Sequence, residues 1–293
     1  MTKRGFFSMC LLMVGLVWPY GLLQAETTDH TALHFAMIPK KNIDQQIDEM
    51  CPLLRLLADK LERPVNVVRV SSYQAVIEGL LSADIDLAIM GPASYAYAKQ
   101  RDGRIEAFAS LTRKAGIFTP EGSYYQSVLV TLAENGAKTI SELRGTKVAF
   151  TDPKSTSGSV IPRHEFSRKI NTSLQNYFGG MSYTGSHDRS IRALVNYQID
   201  AAFVSSSRLD EAVRKGIVTP QQVRILWRSQ PIHFDPFVFR GHLPQSLKEQ
   251  IRHIMFSSPE ALRPMFDKKN ATGIVAVSDN DYTNIRAITR QEH

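Results

Sequence analysis

The sequence predicts an α/β fold built from two similar halves. Short apolar runs, which predict buried strands, alternate along the chain with segments that carry their apolar residues at helical spacing. Alternation of this kind is typical of parallel sheets covered by helices. It starts near Leu33 and again after Tyr125, without a visible sequence repeat. We therefore expect two α/β lobes that face each other across a cleft.

The first half begins with an apolar strand at Leu33 to Met37, and the segment Ile47 to Leu61 follows as an amphipathic helix. Three further elements complete this half: a strand over Val65 to Val70, a helix over Tyr73 to Leu81 and a buried strand over Ile85 to Met90. Gly91 and Pro92 end the last strand.

The second half repeats the alternation. Strands are predicted from Tyr125 to Val130, over Lys147 to Thr151, near Tyr183 and over Ile199 to Val204. Helices are predicted near Ile140 to Leu143, from about Ser157 and over Ser190 to Asn196. Ligands of such sheets bind at the carboxyl ends of the strands, so we expect the functional residues there.

The N-terminal segment is typical of a secretory signal peptide. Lys3 and Arg4 precede an apolar run from Phe6 to Trp18, and Ala25 offers a small residue for cleavage. The run is shorter than the roughly 20 residues that span a bilayer. We therefore expect residues 1–25 to be removed and the remaining chain to lie in the periplasm.

The charge of the chain is mildly positive. The formal net charge is +7, and removal of Lys3 and Arg4 lowers it by two. A positive excess suits an anionic ligand, although an unspecialised basic surface explains it equally well. Basic residues are scattered, which argues against nucleic acid. The eight histidines lack paired ligand spacing, so we expect no metal and no cofactor. We expect a monomer.

The most informative segment runs from Val148 to Ser159. An apolar strand leads through a turn into a helix that begins at three consecutive hydroxyl residues, Ser155, Thr156 and Ser157. Backbone N–H groups at a helix start have no partner within the helix, and the helix dipole is positive there. Together with the hydroxyls they can hold a tetrahedral oxyanion. The alternative is an ordinary helix cap, for which serine and threonine are favoured. The segment lacks the Gly-Lys-Ser/Thr of a Walker loop.

A second polar cluster follows the strand near Tyr183. It contains Ser186, His187 and Asp188. An imidazole N–H can donate to a phosphoryl oxygen, while Asp188 can cap the next helix or orient the ring. A satisfied structural histidine is the alternative. Because His187 lies at the same kind of strand end as Ser155, we favour a ligand contact.

Tyrosines near strand and helix ends of the first half supply a third group of hydroxyls. Their number implies that several serve only in packing, since a half-buried tyrosine is common in α/β cores. These residues are Tyr73, Tyr95, Tyr97, Tyr124 and Tyr125.

Several of these motifs together resemble those of the periplasmic phosphonate/phosphite/phosphate-binding proteins of ABC transporters. The specific part is the Asp-Pro-x-Ser-Thr-Ser-Gly string at residues 152–158, with Gly-Ser-His-Asp at residues 185–188. Further similar strings are residues 73–78, 84–88, 91–95 and 199–202. The resemblance implies a type II periplasmic binding protein with a two-segment hinge. Lobe 1 would comprise residues 26–128 plus 238–293, and lobe 2 residues 129–237.

The resemblance also implies roles for particular residues. Ser155, Thr156, Ser157 and His187 would bind the phosphoryl oxygens from lobe 2, and Tyr73 and Tyr125 would close over them. Two residues are weaker candidates, Tyr95 and Ser207. Asp235 matches a carboxylate that lines the site in the family.

One departure from the family concerns Ser207. Aminoalkylphosphonate binders carry a glutamate where this chain has Ser207 in Val204-Ser205-Ser206-Ser207. A ligand ammonium would then lack one of its carboxylate partners, which makes aminoalkylphosphonates poor ligands.

The resemblance implies a binding protein, not an enzyme, that captures a small phosphorus oxyanion and presents it to an inner-membrane permease. Presentation to a membrane signalling receptor is the leading alternative. A hydrolytic set of Ser155, His187 and Asp188 is a third possibility. No Gly-x-Ser-x-Gly motif supports it, and Asp188 directly follows the histidine it would have to orient.

Overall fold

The computed structural model describes residues 32–291. The predicted signal peptide, residues 1–25, lies outside the described residues. In chain order the strands are β1 (Leu33–Met37), β2 (Val65–Val67), β3 (Leu87–Ile89), β4 (Glu106–Arg113), β5 (Tyr124–Tyr125), β6 (Ser127–Leu132), β7 (Lys147–Phe150), β8 (Gly180–Tyr183), β9 (Ala201–Ser205), β10 (Val223–Arg228), β11 (Ile232–His233), β12 (Pro236–Phe239) and β13 (Ala271–Ala276).

The α-helices are α1 (Ile43–Leu61), α2 (Tyr73–Ser82), α3 (Pro92–Arg101), α4 (Ser167–Ile170), α5 (Leu174–Tyr177), α6 (His187–Val195), α7 (Ser206–Arg214), α8 (Gln245–Ser257), α9 (Pro259–Lys269) and α10 (Thr283–Arg290). Two stretches of wider π-type turns, Thr156–Val160 and Pro162–Phe166, run directly into α4. Short 3₁₀ turns lie at Ser141–Leu143, Pro220–Gln222 and Asp279–Tyr282.

Two mixed sheets dominate this part of the chain. The first has six strands in the order β13-β4-β12-β3-β1-β2, and the second has five in the order β10-β6-β9-β7-β8. Helices pack on both faces of the first sheet, where alternate strand residues enter two separate apolar clusters. The predicted α/β fold of two similar halves is confirmed.

The sheets are not wholly parallel, which corrects the prediction. In the first sheet β12 runs antiparallel to β3 and β4, and in the second β6 runs antiparallel to β9. Strand β13 also runs antiparallel to β4. Strands β6 and β12 each follow a crossing between the sheets, since β6 comes directly after β5, and β12 after β11. After each crossing the chain enters the new sheet at the edge where the parallel strands have their carboxyl ends. Strands β6 and β12 therefore run in the opposite direction to those strands.

The two crossings between the sheets lie side by side. Strand β5 pairs with β11 in antiparallel register, with Tyr125 opposite Ile232 and Tyr124 opposite His233. This two-stranded ribbon is separate from both larger sheets. The chain thus passes from one half to the other through two paired segments.

Helix α1 shows how local sequence sets one element. Asn42 caps its start by accepting from the Gln45 N–H at 3.1 Å, and Glu62 ends it in the left-handed conformation. Pro52 lies inside the helix and removes the hydrogen bond to the Asp48 carbonyl. The Lys268 ammonium donates to that carbonyl at 3.2 Å, so the freed acceptor is satisfied.

Candidate functional site

Strand ends from both sheets surround one cavity. Its wall includes Tyr73, Tyr125, Ser155, Thr156, Ser157, His187, Ser207 and Asp235. Eight of the nine candidate residues of the sequence analysis therefore meet at one place. The volume of the cavity is about 60 Å³.

The helix that starts after β7 contributes three hydroxyl residues to this wall. Ser155, Thr156 and Ser157 are each at most 2% exposed. The Ser155 hydroxyl oxygen caps the helix by accepting from the Gly158 N–H at 3.1 Å, and the Thr156 hydroxyl oxygen accepts from the Ala93 N–H at 2.9 Å. Each of these two hydroxyls keeps its own proton for donation. Helix capping and anion binding are therefore compatible functions of the same side chain.

Gly158 allows this helix to approach the end of β7 closely. A Cβ atom at Gly158 would lie 1.9 Å from the Thr151 hydroxyl oxygen, well inside van der Waals contact. The backbones of the two residues are joined by a bond from the Thr151 N–H to the Gly158 carbonyl at 3.2 Å. Glycine is thus required to bring the hydroxyl residues to the cavity.

Tyr73 and Tyr125 face this helix from the other side. Burial raises the pKa of both phenols well above the ordinary range, and the nearby Asp235 carboxylate raises them further. Both hydroxyls are therefore protonated and can donate. Ser155 lies close enough to Tyr73 to lower its pKa, but the two groups do not meet the geometry of a hydrogen bond.

His187 is the first residue of α6, which starts three residues earlier than predicted and is capped by Ser186. The imidazole is 3% exposed, and its Nδ1 accepts from the Ser205 N–H at 3.2 Å. Burial, helped by the charges of Arg208 and Lys40, holds its pKa well below the ordinary value. The neutral ring therefore carries its proton on Nε2 and is a donor there.

Asp188 does not orient His187. Its carboxylate accepts from the Arg208 guanidinium at 2.6 Å, and Arg208 also pairs with Glu211. The helix cap that we considered for Asp188 is provided by Ser186. The carboxylate, imidazole and hydroxyl are thus not linked as a hydrolytic triad requires.

Tyr95 is the candidate that the structure does not bring to the cavity. Its hydroxyl donates to the Asp279 carboxylate at 3.0 Å, and its ring packs edge-on against Tyr282. This position, on the face of α3 that packs against α10 and its preceding turn, is that of a core tyrosine and corrects our expectation. Nothing in the local sequence distinguishes it from Tyr73.

Asp235 and Ser207 lie on the cavity wall with neighbours that the sequence did not reveal. The Asp235 carboxylate pairs with the Lys40 ammonium, and both side chains are largely buried. The Ser207 hydroxyl is 2.9 Å from that of Ser205. The carboxylate that was expected to meet a ligand is thus bonded to a lysine of the chain itself.

Charged residues that sequence reasoning missed make up much of the remaining wall. The missed residues are Lys40, Lys41, Arg113, Lys114, Arg208, Arg214, Lys269, Glu49, Asp210 and Glu211. With Asp235, which the sequence analysis found, the wall has seven basic and four acidic side chains. Lys40 and Lys41 come shortly after the predicted strand β1, so a stricter use of the strand-end rule would have found them. Arg113 ends β4, a strand that was not predicted. The residues on α1, α7 and α9 carry no such signal.

Contacts across the cavity hold the two sheets together. The Lys41 ammonium, after β1, pairs with Glu211 on α7 at 2.6 Å. The Asp152 carboxylate accepts from the Tyr73 N–H at 3.3 Å. Together with the bond from Ala93 to Thr156, these contacts close the cavity between the two halves.

Several buried polar atoms at the cavity have no hydrogen-bond partner. Of the six such side-chain atoms found in residues 32–291, four belong to the wall: Tyr73 Oη, Arg113 Nε, Arg208 Nε and Asp210 Oδ2. Three of the four are on donor groups. Unpaired buried donors are costly, and an anion in the cavity would satisfy them.

Metal sites and membrane-spanning helices are the two other features of interest in the described chain. Residues 32–291 contain no group of three or more histidine, cysteine or acidic side chains that could hold a metal ion. Over the same range no helix is both long enough and apolar enough to cross a membrane.

Solved structures share this fold. A binding protein component of an ABC phosphonate transporter from Pseudomonas aeruginosa matches with a TM-score of 0.79 at 20% identity, over 89% of this chain and 86% of that one. PhnD1 from Prochlorococcus marinus, solved with methylphosphonate, matches with a TM-score of 0.77 at 19% identity, over 89% of this chain and 98% of that one. The fold is that of a type II periplasmic binding protein.

Sequence comparison then gives the family. Residues 35–282 match the periplasmic substrate-binding proteins of phosphonate ABC transporters, and the chain belongs to this family of binding proteins. It is 27% identical to the phosphate-import protein PhnD of Mycolicibacterium smegmatis, over 86% of this chain and 83% of that protein. It is 25% identical to the phosphonates-binding periplasmic protein of Escherichia coli, over 75% of this chain and 64% of that protein.

Proposed function

We propose that this protein captures a compact phosphorus oxyanion, either a phosphonate, phosphite or phosphate, in the periplasm and delivers it to the inner-membrane permease of an ABC transporter. Residues 1–25 would direct export and be removed. Residues 26–128 with 238–293 would form one moving lobe, and residues 129–237 the other. The protein would act as a monomer.

One observation carries this proposal: a single cavity wall combines the hydroxyl residues of a helix start with a neutral histidine that donates from Nε2. Ser155, Thr156 and Ser157 lie at the positive end of the helix dipole, where backbone N–H groups are also free to donate. In this proposal His187 donates to the same phosphoryl group, and the protonated Tyr73 and Tyr125 close over it.

The size and charge of the cavity support a small anion. The cavity volume of about 60 Å³ suits a compact ligand. Phosphate, phosphite and methylphosphonate are compact anions. The surplus of basic side chains on the wall favours an anion over a neutral molecule of equal size.

Transport needs no chemical step in the site. A ligand that contacts both lobes binds their closed arrangement more tightly than the open one. The difference in binding free energy shifts the equilibrium toward the closed arrangement. The contacts between Lys41 and Glu211 and between Ala93 and Thr156 cross the cavity, so they can form only when the lobes are together. A permease would recognise the closed shape.

Isothermal titration calorimetry tests this function. We expect the purified protein to bind at least one of phosphate, phosphite and methylphosphonate with one site per chain. Replacing Ser155, Thr156 and Ser157 together with alanine should weaken that binding at least about a hundredfold, since each hydrogen bond to a charged group contributes about 1.5 to 3 kcal/mol.

Ser159→Ala is the matched control. Ser159 lies in the same helix, and its hydroxyl is near that of Tyr183 rather than on the cavity wall. Its loss should leave affinity unchanged. Thermal melting would separate lost binding from the roughly 1 kcal/mol that removal of the Ser155 cap costs. Failure of the wild type to bind any of the three anions, or unchanged binding by the triple variant, contradicts the proposal.

A further inference from the structure

The Asp235 carboxylate has an ammonium partner within the protein. Lys40, three residues after β1, donates to Asp235 Oδ2, one residue before β12. The side chains are only 19% and 15% exposed, and both line the cavity. Charged groups at this depth are only weakly screened by water, so their pairing affects whatever else enters the cavity.

Asp235 lies at the same end of the cavity as the hydroxyl groups. Its negative charge is close enough to Tyr73 and Tyr125 to raise the pKa of each phenol. Without a partner, the carboxylate would repel an oxyanion held by these phenols. The charge of Lys40 also reaches His187, on the opposite lobe. Lys40 therefore makes this end of the cavity compatible with an anion.

We infer that Lys40 determines ligand specificity by occupying the carboxylate that would otherwise receive a cationic group of the ligand. The cavity then accepts compact phosphorus oxyanions and rejects phosphonates that carry an ammonium group. This inference rests on the proposed function and goes beyond it by naming the residue that sets the ligand class.

The rest of the wall gives a ligand ammonium no easy alternative. Ser207 is neutral. Glu49 and Glu211 each bond to Lys41, and Glu211 also pairs with Arg208. Asp210 Oδ1 accepts from the Phe118 N–H at 2.8 Å, and the double variant below distinguishes capture of the ammonium by Asp235 from capture by the unpaired Asp210 Oδ2. An ammonium that loses water on entry would therefore have to compete with Lys40 for the carboxylate beside the phenols.

Lys40→Met tests the inference by removing the charge while keeping a long side chain. The probes are methylphosphonate and 2-aminoethylphosphonate, each titrated into wild type and variant by calorimetry. We expect wild type to prefer methylphosphonate. The variant should shift the ratio of the two dissociation constants toward the amine by at least about tenfold, because Asp235 gains a free acceptor and the site loses a positive charge.

Lys114→Met is the matched control. Lys114 also lines the cavity, but it is 52% exposed and 3.9 Å from the Asp267 carboxylate. Its loss removes the same charge without releasing Asp235. We therefore expect Lys114→Met to lower the affinity for both ligands similarly and to leave their ratio near that of wild type.

The double variant Lys40→Met/Asp235→Asn separates a released carboxylate from a general change in charge. It should lose the gain for the amine that Lys40→Met shows. Persistence of that gain, or equal ratios in Lys40→Met and Lys114→Met, overturns the inference. A wild type that binds neither probe nor any of the three compact anions contradicts the proposed function instead. If Lys40→Met does not fold, Lys40→Gln is titrated under the same criteria.

Discussion

At the scale of single residues, Lys269 connects the charge of the cavity to pH. Its side chain is 12% exposed and 3.4 Å from the Glu49 carboxylate. Burial lowers its pKa to about 7, and the nearby charges of Arg113, Lys40 and Lys41 act in the same direction. Near neutral pH this lysine is therefore only partly protonated, which is unusual for a basic side chain.

Binding of an anion should be coupled to protonation of Lys269. A negative charge in the cavity stabilises the ammonium form and raises its pKa, so the complex takes up a proton at pH 7 to 8. We expect affinity to fall as pH rises above about 7 for this reason. Calorimetry in two buffers of different ionisation enthalpy measures the uptake.

Lys269→Met provides the comparison for this prediction. The titration of the ligand itself is common to both proteins and cancels in the difference between them. Lower proton uptake in the variant than in wild type is the expected result. The same uptake in both proteins would show that Lys269 does not respond to the ligand.

Sequence analysis reached some residues of the candidate site and not others for physical reasons. Ser155 and His187 were found because each directly follows a predicted strand, and strand ends of one sheet meet at the same edge. Glu49 and Lys269 come from a helix middle and a helix end, and only tertiary packing brings them to the cavity. Tyr95 was chosen as a tyrosine near a strand end within a string similar to the family, but its ring packs against Tyr282 and does not reach the cavity wall.

At the scale of elements, the start of α3 and the helix start at Thr156 meet across the cavity. A Cβ atom at Gly91 would lie 3.0 Å from the Thr156 hydroxyl oxygen, which also accepts from the Ala93 N–H. This separation is at the lower limit for such a contact. The two elements can come this close because residue 91 has no side chain.

Gly91→Ala should therefore hinder closure. The methyl group would displace the Thr156 hydroxyl and weaken its bond to Ala93, so we expect a severalfold loss of anion affinity with little change in the melting temperature. Gly103→Ala is the matched control, since a Cβ atom at Gly103 meets nothing within 4 Å. Equal affinities of the two variants would indicate that this contact is not formed on binding.

The elements of residues 33–90 and 125–204 were largely predictable, but α3, β4 and most elements after β9 were not predicted. The direction of the antiparallel strands was not predicted either. Apolar runs such as Leu33 to Met37 and Lys147 to Phe150 mark their strands clearly. Strands β6 and β12 carry the same kind of apolar run, yet they are antiparallel to their neighbours. Their direction follows from the crossing between sheets, which depends on long-range topology and leaves no mark in local periodicity.

At the scale of the whole molecule, the cavity lies between two sheets that are joined by two paired strands. The ribbon of β5 and β11 connects the sheets, and Tyr125 at its edge stacks on Phe234 with ring centroids 5.2 Å apart. In the proposed function this ribbon would be the hinge through which a ligand changes the separation of the two lobes.

Crystallisation of the protein with whichever of phosphate, phosphite and methylphosphonate binds most tightly tests the central claim most directly. We predict electron density for one phosphorus oxyanion in the cavity, with its oxygens within hydrogen-bond distance of the hydroxyls of Ser155, Thr156 and Ser157 and of His187 Nε2. The Lys40 ammonium should remain on Asp235. Density for the anion at any other place on the protein, with this cavity containing only water, would contradict it.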